Sequence, residues 1–266
     1  MEAVSGTLHI ARVATLMEGV SIIDPRYAAE GATRNPSVEL ALPQAFDKIG
    51  AESIWPIYLR SHRVVAFDSG HQMTRCYDVL RNQLINENKD KQVHQIAVTA
   101  PTKGCGVTVT AANLALSFAR VHEANVLLVD LNSKTPSIGR TLGLPAMTQS
   151  EERTGSLMSV GVNGTHMYVL RPGLQDATAL ARTDASRLIA QVAQARQRVM
   201  PTVIIYDMPP VMVADELNAI VKDADSAVVV LAVGHSTLSE FEICKTFLGS
   251  RKGIRVVLNK SRNHGL

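Results

Sequence analysis

The sequence predicts an α/β fold, a mostly parallel sheet with helices on both faces, and three observations carry that prediction. Short, nearly continuous apolar runs recur between residues 93 and 259. Stretches with helical spacing of apolar residues separate them. A glycine-rich loop or an acidic residue directly follows several of the runs, where open parallel sheets bind their ligands. Strands apolar on both faces belong to sheets covered on both sides.

Taken in order, Met73, Tyr77, Leu80 and Leu84 mark a helix over residues 73–86, and 93–99 reads as the first strand of the domain. Residues 107–120 form a helix with Leu114, Ala115 and Phe118 inward, followed by strands over 125–129 and 165–170. A helix over 184–199 has Asp184 as its N-cap and Leu188, Ile189, Val192 and Val199 inside. A strand over 202–206, a helix over 215–221, a strand over 227–233, a helix over 237–248 and a strand over 254–259 complete the series. Residues 71–266 are therefore expected to form the α/β domain. Residues 1–70 lack this rhythm, are punctuated by Pro25, Pro36, Pro43 and Pro56, and read as a partly irregular arm. Within it Leu8, Val13, Leu16, Met17 and Val20 are spaced for one face of a short helix, either a partly ordered arm or a docking segment.

Bulk properties exclude several classes. A chain of 266 residues with 46% hydrophobic and 19% charged residues can bury a full core. A net charge of +3 without a Lys/Arg block argues against nucleic acid as a partner. The three cysteines, Cys76, Cys105 and Cys244, are widely spaced, which fits reduced thiols in a cytosol and no zinc motif. The longest apolar run, 227–233, is far short of a membrane span, and the acidic start does not read as a signal peptide. A cytoplasmic protein is expected, peripheral at a membrane only through a partner.

The loop Ala100-Pro101-Thr102-Lys103-Gly104-Cys105-Gly106-Val107-Thr108-Val109 lies between strand and helix, where a phosphate-binding loop belongs. Gly104 and Gly106 let backbone N–H groups turn toward an anion, and the helix start adds its dipole. A working loop of this kind reads G-x-G-K-[ST], yet Val107 stands at the lysine position. An uncharged β-branched side chain cannot neutralise β/γ-phosphates. Thr108 survives as a Mg²⁺ ligand candidate. Asp130 and Asp207 each end an apolar strand, as the carboxylates that hold Mg²⁺ or orient a nucleophile do in P-loop enzymes. Cys105 reads as a small loop side chain, and His235 as a surface loop residue.

From about Thr74 to Lys260 the chain resembles the cytoplasmic domain of bacterial tyrosine kinases of the CpsD/CapB type, members of the wider MinD/ParA group of P-loop ATPases. The resemblance rests on 96–102 leading into the loop, Ala111-Ala112-Asn113-Leu114-Ala115 after it, 126–130 with Pro136-Ser137 and Leu142-Gly143-Leu144 as the A-prime motif, Asp207-Met208-Pro209-Pro210 as Walker B, and Val256-Val257-Leu258-Asn259-Lys260 as the closing strand. It implies ATP or ADP with Mg²⁺ as cofactors, loop residues 103–109 and Asn132 around the phosphates, and Asn259 against the adenine base. It also implies service in exopolysaccharide synthesis, docking on the cytoplasmic part of a membrane chain-length or export protein, and a homo-oligomer.

The departures are as informative. Besides Val107, the family's acidic residue before the second glycine is Cys105, its second A-prime aspartate is Asn132, and its Arg pair there is Lys134-Thr135. Met208 replaces a Thr or Ser, and the E-x-x-R-x-x-R assembly helix keeps only Arg81 beside Arg75 and Asp78. The C-terminal tyrosine cluster is missing, the last tyrosine being Tyr206. The expectation is a degenerate tyrosine-kinase-like protein with weakened nucleotide binding and weak or no turnover, acting as a partner or regulator. An active kinase or ATPase using Lys103 as a substitute lysine and a positioning ATPase of the MinD/ParA kind are its rivals.

Overall fold

The computed structural model describes residues 49–87, 89–121, 124–132, 137–173, 182–211, 224–249 and 253–261. The expected docking segment within residues 1–48, the helix over 215–221 and Lys134-Thr135-Pro136 lie outside them.

Eight strands form one sheet in the order β1-β4-β5-β3-β6-β2-β7-β8. They are β1 (Gly50–Ser53), β2 (His94–Thr99), β3 (Val126–Asp130), β4 (Ser156–Val162), β5 (Thr165–Arg171), β6 (Val203–Asp207), β7 (Ser226–Ala232) and β8 (Ile254–Asn259). All adjacent pairs are parallel except β4 with β5. The helices are α1 (Pro56–Ser61), α2 (Thr74–Glu87), α3 (Val107–Ala119), α4 (Ile138–Leu142), α5 (Gln149–Thr154), α6 (Arg182–Val199) and α7 (Leu238–Leu248).

Period-two alternation of the strands builds a core on each face. Ile96, Val98, Leu128, Ile205 and Val230 join Leu84, Leu114 and Phe118 of α2 and α3 on one side. Ala97, Leu127, Val129, Ile204 and Val229 join Leu188 and Val192 of α6, and Phe241 and Cys244 of α7, on the other. This is the predicted α/β architecture, with the central strands buried on both faces.

Three details differ from the sequence reading. Ile189 is 42% exposed rather than inside, because α6 needs only the Leu188, Val192, Ala195 and Val199 stripe to cover the sheet. That helix begins at Arg182, so Asp184 lies in its first turn and is not its N-cap. An antiparallel hairpin, β4–β5, stands where the sequence reading has a single strand, with Val162 opposite Thr165 across a two-residue turn. Asn163 and Gly164 both have positive φ, as a tight hairpin turn of this kind demands.

The chain from Gly50 onward, read as arm, carries β1 and α1 and then straps the helix that follows the loop. Asn113 of α3 is fully buried; its Oδ1 accepts from Val65 N at 2.7 Å and Ala66 N at 2.9 Å, while its Nδ2 donates to Arg63 O and Val109 O. One side chain thus satisfies four backbone groups inside an apolar layer. Replacing Asn113 with alanine strands two buried donors, at a cost of about 1–3 kcal/mol each. We expect a loss of about 3 kcal/mol in urea unfolding, with the far-ultraviolet spectrum of the folded state unchanged.

Arg81 is turned inward. Its Nη1 donates to Asp78 Oδ1 at 3.0 Å and to Ser117 O at 2.8 Å. Burial works against the Asp78 charge, but hydrogen bonds from Ser117 and Arg120 and the charges of Arg120 and Arg81 hold its pKa below the ordinary value. The network fastens α2 to α3.

Candidate functional site

The loop between β2 and α3 sits at the carboxyl ends of the central strands. Gly104 and Gly106 have φ of 82° and 97°, so the backbone reverses in a conformation that side chains resist. Gly106 is the N-cap of α3. A Cβ there would lie 2.2 Å from Asn259 Nδ2, so the loop and the end of β8 touch closely.

Asn259 makes that contact through its amide, which donates to Cys105 O at 2.8 Å. Its own Oδ1 accepts from Lys260 N at 2.8 Å. The side chain expected to meet an adenine base is thus engaged with the loop backbone.

Val107 is 6% exposed and belongs to the apolar cluster that includes Cys105, Ala100 and Val230. Thr108 is 3% exposed, and Asn132 Nδ2 donates to its Oγ1 at 3.3 Å. Val109, one residue further along α3, is half-buried. Lys103 is exposed on the shoulder of the loop and forms no ion pair among the described residues.

Asp130 and Asp207 are register partners on the adjacent parallel strands β3 and β6, each at its last residue. Asp130 accepts from Ile138 N at 3.0 Å and Asn132 N at 3.2 Å. Burial raises its pKa to about 6, against those amides and the charge of Arg171, which pull it down. Asp207 is fully buried, and neither of its oxygens has a hydrogen-bond donor in good geometry. Burial pushes its pKa well up, Asp130 adds to the push, and nearby Thr108 and Asn132 offset part of it.

The structure therefore brings Thr108, Asp130, Asn132 and Asp207 together, while Asn259, also read from the sequence, meets the loop at Cys105 O. Two carboxylates beside a hydroxyl and an amide oxygen suit a hard divalent cation. Asp207, fully buried beside a second carboxylate with no donor in good geometry, is the observation that fits such an ion, because poorly compensated charge in the interior is costly. No cluster of three or more His, Cys, Asp or Glu occurs among the described residues, so the protein alone supplies a partial set.

Arg171, the last residue of β5, is a member of the site that sequence reasoning misses. It is 7% exposed, donates to Pro145 O at 2.7 Å, and lines a cavity of about 500 Å³ with Asp130, Tyr58, Arg140 and Met147. Burial weighs against its charge, whereas Glu151, Asp130 and Glu52 favour it. No motif marks it; only the pairing of β5 beside β3 brings a cation near Asp130.

Cys105 is buried beside Thr102 and Ser236, and burial together with Cys105 drives the Cys244 thiol up to about 12. His235 is exposed on the turn after β7.

A central parallel sheet with a glycine-rich loop before a buried helix, and acidic strand ends beside it, defines a P-loop NTPase-like domain. Known proteins narrow the class. No protein-family model matches the chain. Tyrosine-protein kinase YwqD of Bacillus subtilis (strain 168) is 24% identical over 185 residues, spanning 66% of this chain and 75% of YwqD. The crystal structure of the chimerical protein CapA2B2 matches with a TM-score of 0.60 at 19% identity, covering 80% of this chain and 93% of that one. The VpsO kinase domain matches at 0.57 with 22% identity, over 71% and 96% of the two chains. The kinase domain of the Escherichia coli tyrosine kinase ETK matches at 0.54 with 12% identity, over 80% and 98%. The chain thus has the fold of bacterial tyrosine-kinase domains. No helix among the described residues is long and apolar enough to cross a membrane.

Proposed function

We propose that this protein is a degenerate member of the tyrosine-kinase-like P-loop proteins, acting as a partner or regulator in exopolysaccharide assembly with weak or no ATP turnover. The observation that carries the reading is Val107, which occupies the lysine position and is buried in the apolar core beside the loop. Phosphoryl transfer depends on placed charge, and losing one such contact commonly costs about 10²–10³ in rate. Here the lysine is missing and one A-prime carboxylate is Asn132. Thr108, Asp130 and Asp207 would hold Mg²⁺, and the loop amides would face the phosphates of ATP or ADP with reduced affinity.

The partner in this reading is the cytoplasmic part of a membrane chain-length or export protein, which would keep the chain at the inner membrane. What supports it is the intact scaffold beside the lost charges, together with the tyrosine-kinase relatives. Lys103, exposed on the loop shoulder, is the group that would carry the rival active reading.

Steady-state ATP turnover of the purified protein, compared with an Asp130→Ala variant, tests the proposal. Turnover at background in both is expected. Turnover that falls with Asp130→Ala and also with Lys103→Ala would establish an active enzyme with a substitute lysine.

A further inference from the structure

The two ends of the sheet are built differently. β1 is a four-residue edge, Gly-Ala-Glu-Ser, with no side chain that would reward pairing. β8 is a six-residue edge, Ile-Arg-Val-Val-Leu-Asn, that ends the strand order on the other side. Long apolar edges without proline or an outward charge are templates for a further strand.

The backbone of β8 shows which groups face away from β7. Ala227 N donates to Gly253 O at 3.2 Å and Val233 N to Asn259 O at 2.9 Å, so the carbonyls of Gly253 and Asn259 face β7. With the parallel register intact between them, residues 255 and 257 face β7 as well. Ile254, Val256 and Leu258 consequently turn their N–H and C=O groups outward. Beyond them, Lys260 N is taken by Asn259 Oδ1, which closes the row.

The side chains follow the same alternation. Val257 packs against the α3 side of the core, and Ile254 against the α7 side. Val256 and Leu258 therefore share the α7 face, where they are 39% and 61% exposed, and α7 itself leaves Ile243 and Phe247 exposed. Arg255 points to the opposite face and is held by Glu87.

We propose that β8 pairs antiparallel with β8 of a second copy of this chain, about a two-fold axis at Val256, joining two sheets into one. This register opposes Val256 to Val256 and Ile254 to Leu258, all of them residues whose backbone groups face outward. Each pair is a hydrogen-bonded one, and the cross-strand side chains are apolar on the α7 face. On the other face Arg255 meets Val257, so no like charges stand opposite each other. A shift of two residues either way loses a pair, and a shift toward the carboxyl end meets the occupied Lys260 N–H. The edge is thus complementary to itself, an isologous contact.

Sedimentation equilibrium of the full chain at about 100 µM, above the Kd of a modest interface, reads the association. A dimer is expected, and the double variant Val256→Lys/Leu258→Lys should be monomeric with an unchanged thermal melt, since both side chains are exposed. In a Cys76→Ser background, which removes the exposed native thiol, Val256→Cys should form a disulfide-linked dimer under mild oxidation. Opposed Cα atoms of a hydrogen-bonded pair lie about 5.5 Å apart, within disulfide range. A wild-type monomer, a dimer that survives the lysine pair, or a dimer that Val256→Cys fails to cross-link would each overturn the proposal.

Discussion

Replacing Asp207 with asparagine should stabilise the protein at neutral pH, by an amount that grows as the pH rises from 4 to 8. Asp130 and Asp207 face each other across β3 and β6, and both are shut away from water. Only Asp130 receives backbone amides; the Asp207 oxygens have no donor in good geometry. For an acid whose folded pKa is raised, the native state binds more protons than the unfolded state over the window between the two values. Stability then falls as pH rises through that window. For Asp130 the window runs from 3.8 to about 6, and a rise of roughly 2 units corresponds to about 3 kcal/mol. For Asp207 the window opens at 3.8 and extends upward in the same direction.

Asparagine keeps the shape, removes one charge, relieves Asp130 of its neighbour and supplies an N–H donor. Each kcal/mol gained at pH 8 would raise Tm by about 2–4 °C for a domain of this size, with little change at pH 4. Differential scanning calorimetry at the two pH values measures it. Millimolar Mg²⁺ should narrow the gap by stabilising the wild type more than the variant, if the pair holds that ion. An Asp207→Asn protein no more stable at pH 8 than its parent would mean that the carboxylate pair carries no electrostatic burden.

The asymmetry between what the sequence shows and what it hides has a physical source. β3, β6 and β7 lie inside a covered sheet, so each is buried along nearly its whole length and stands out as an apolar run. The loop and the two aspartates are equally visible, because each follows its strand directly and the chemistry of the site is local. β4 escapes such a reading because Ser156, Ser159 and Gly161 interrupt its apolar residues, although Asn163-Gly164 is a hairpin signal that locates the turn. The order of residues 63–66 is not legible at all: it depends on Asn113, a polar residue 47 positions from Ala66 whose amide groups substitute for regular backbone pairing. Arg171 and the inward turn of Arg81 have the same character. Their roles are set by which strand or helix lies alongside, and no spacing within the chain encodes that.

Restoring the lysine, by Val107→Lys, should raise affinity for MgATP by at least about tenfold, or 1.4 kcal/mol. Position 107 opens α3 immediately after Gly106, next to Thr108, and the carboxylates of Asp130 and Asp207 stand at the ends of the neighbouring strands. An ammonium group introduced there has counter-charges within the site, unlike one placed elsewhere in the apolar core. Losing the buried valine should still lower stability of the free protein by about 1–3 kcal/mol, and nucleotide should recover part of that loss. Turnover should rise much less than affinity, because Asn132 still replaces a carboxylate and nothing in Val107→Lys restores it. Isothermal titration calorimetry separates the two effects from turnover. If Val107→Lys gains nothing, the obstacle is the Asn259 amide bound to Cys105 O, and Val107→Lys/Asn259→Ala should then bind where the single variant does not. Failure of both would mean that the loop keeps the shape of a phosphate cradle but cannot open to a triphosphate even when its charge is restored.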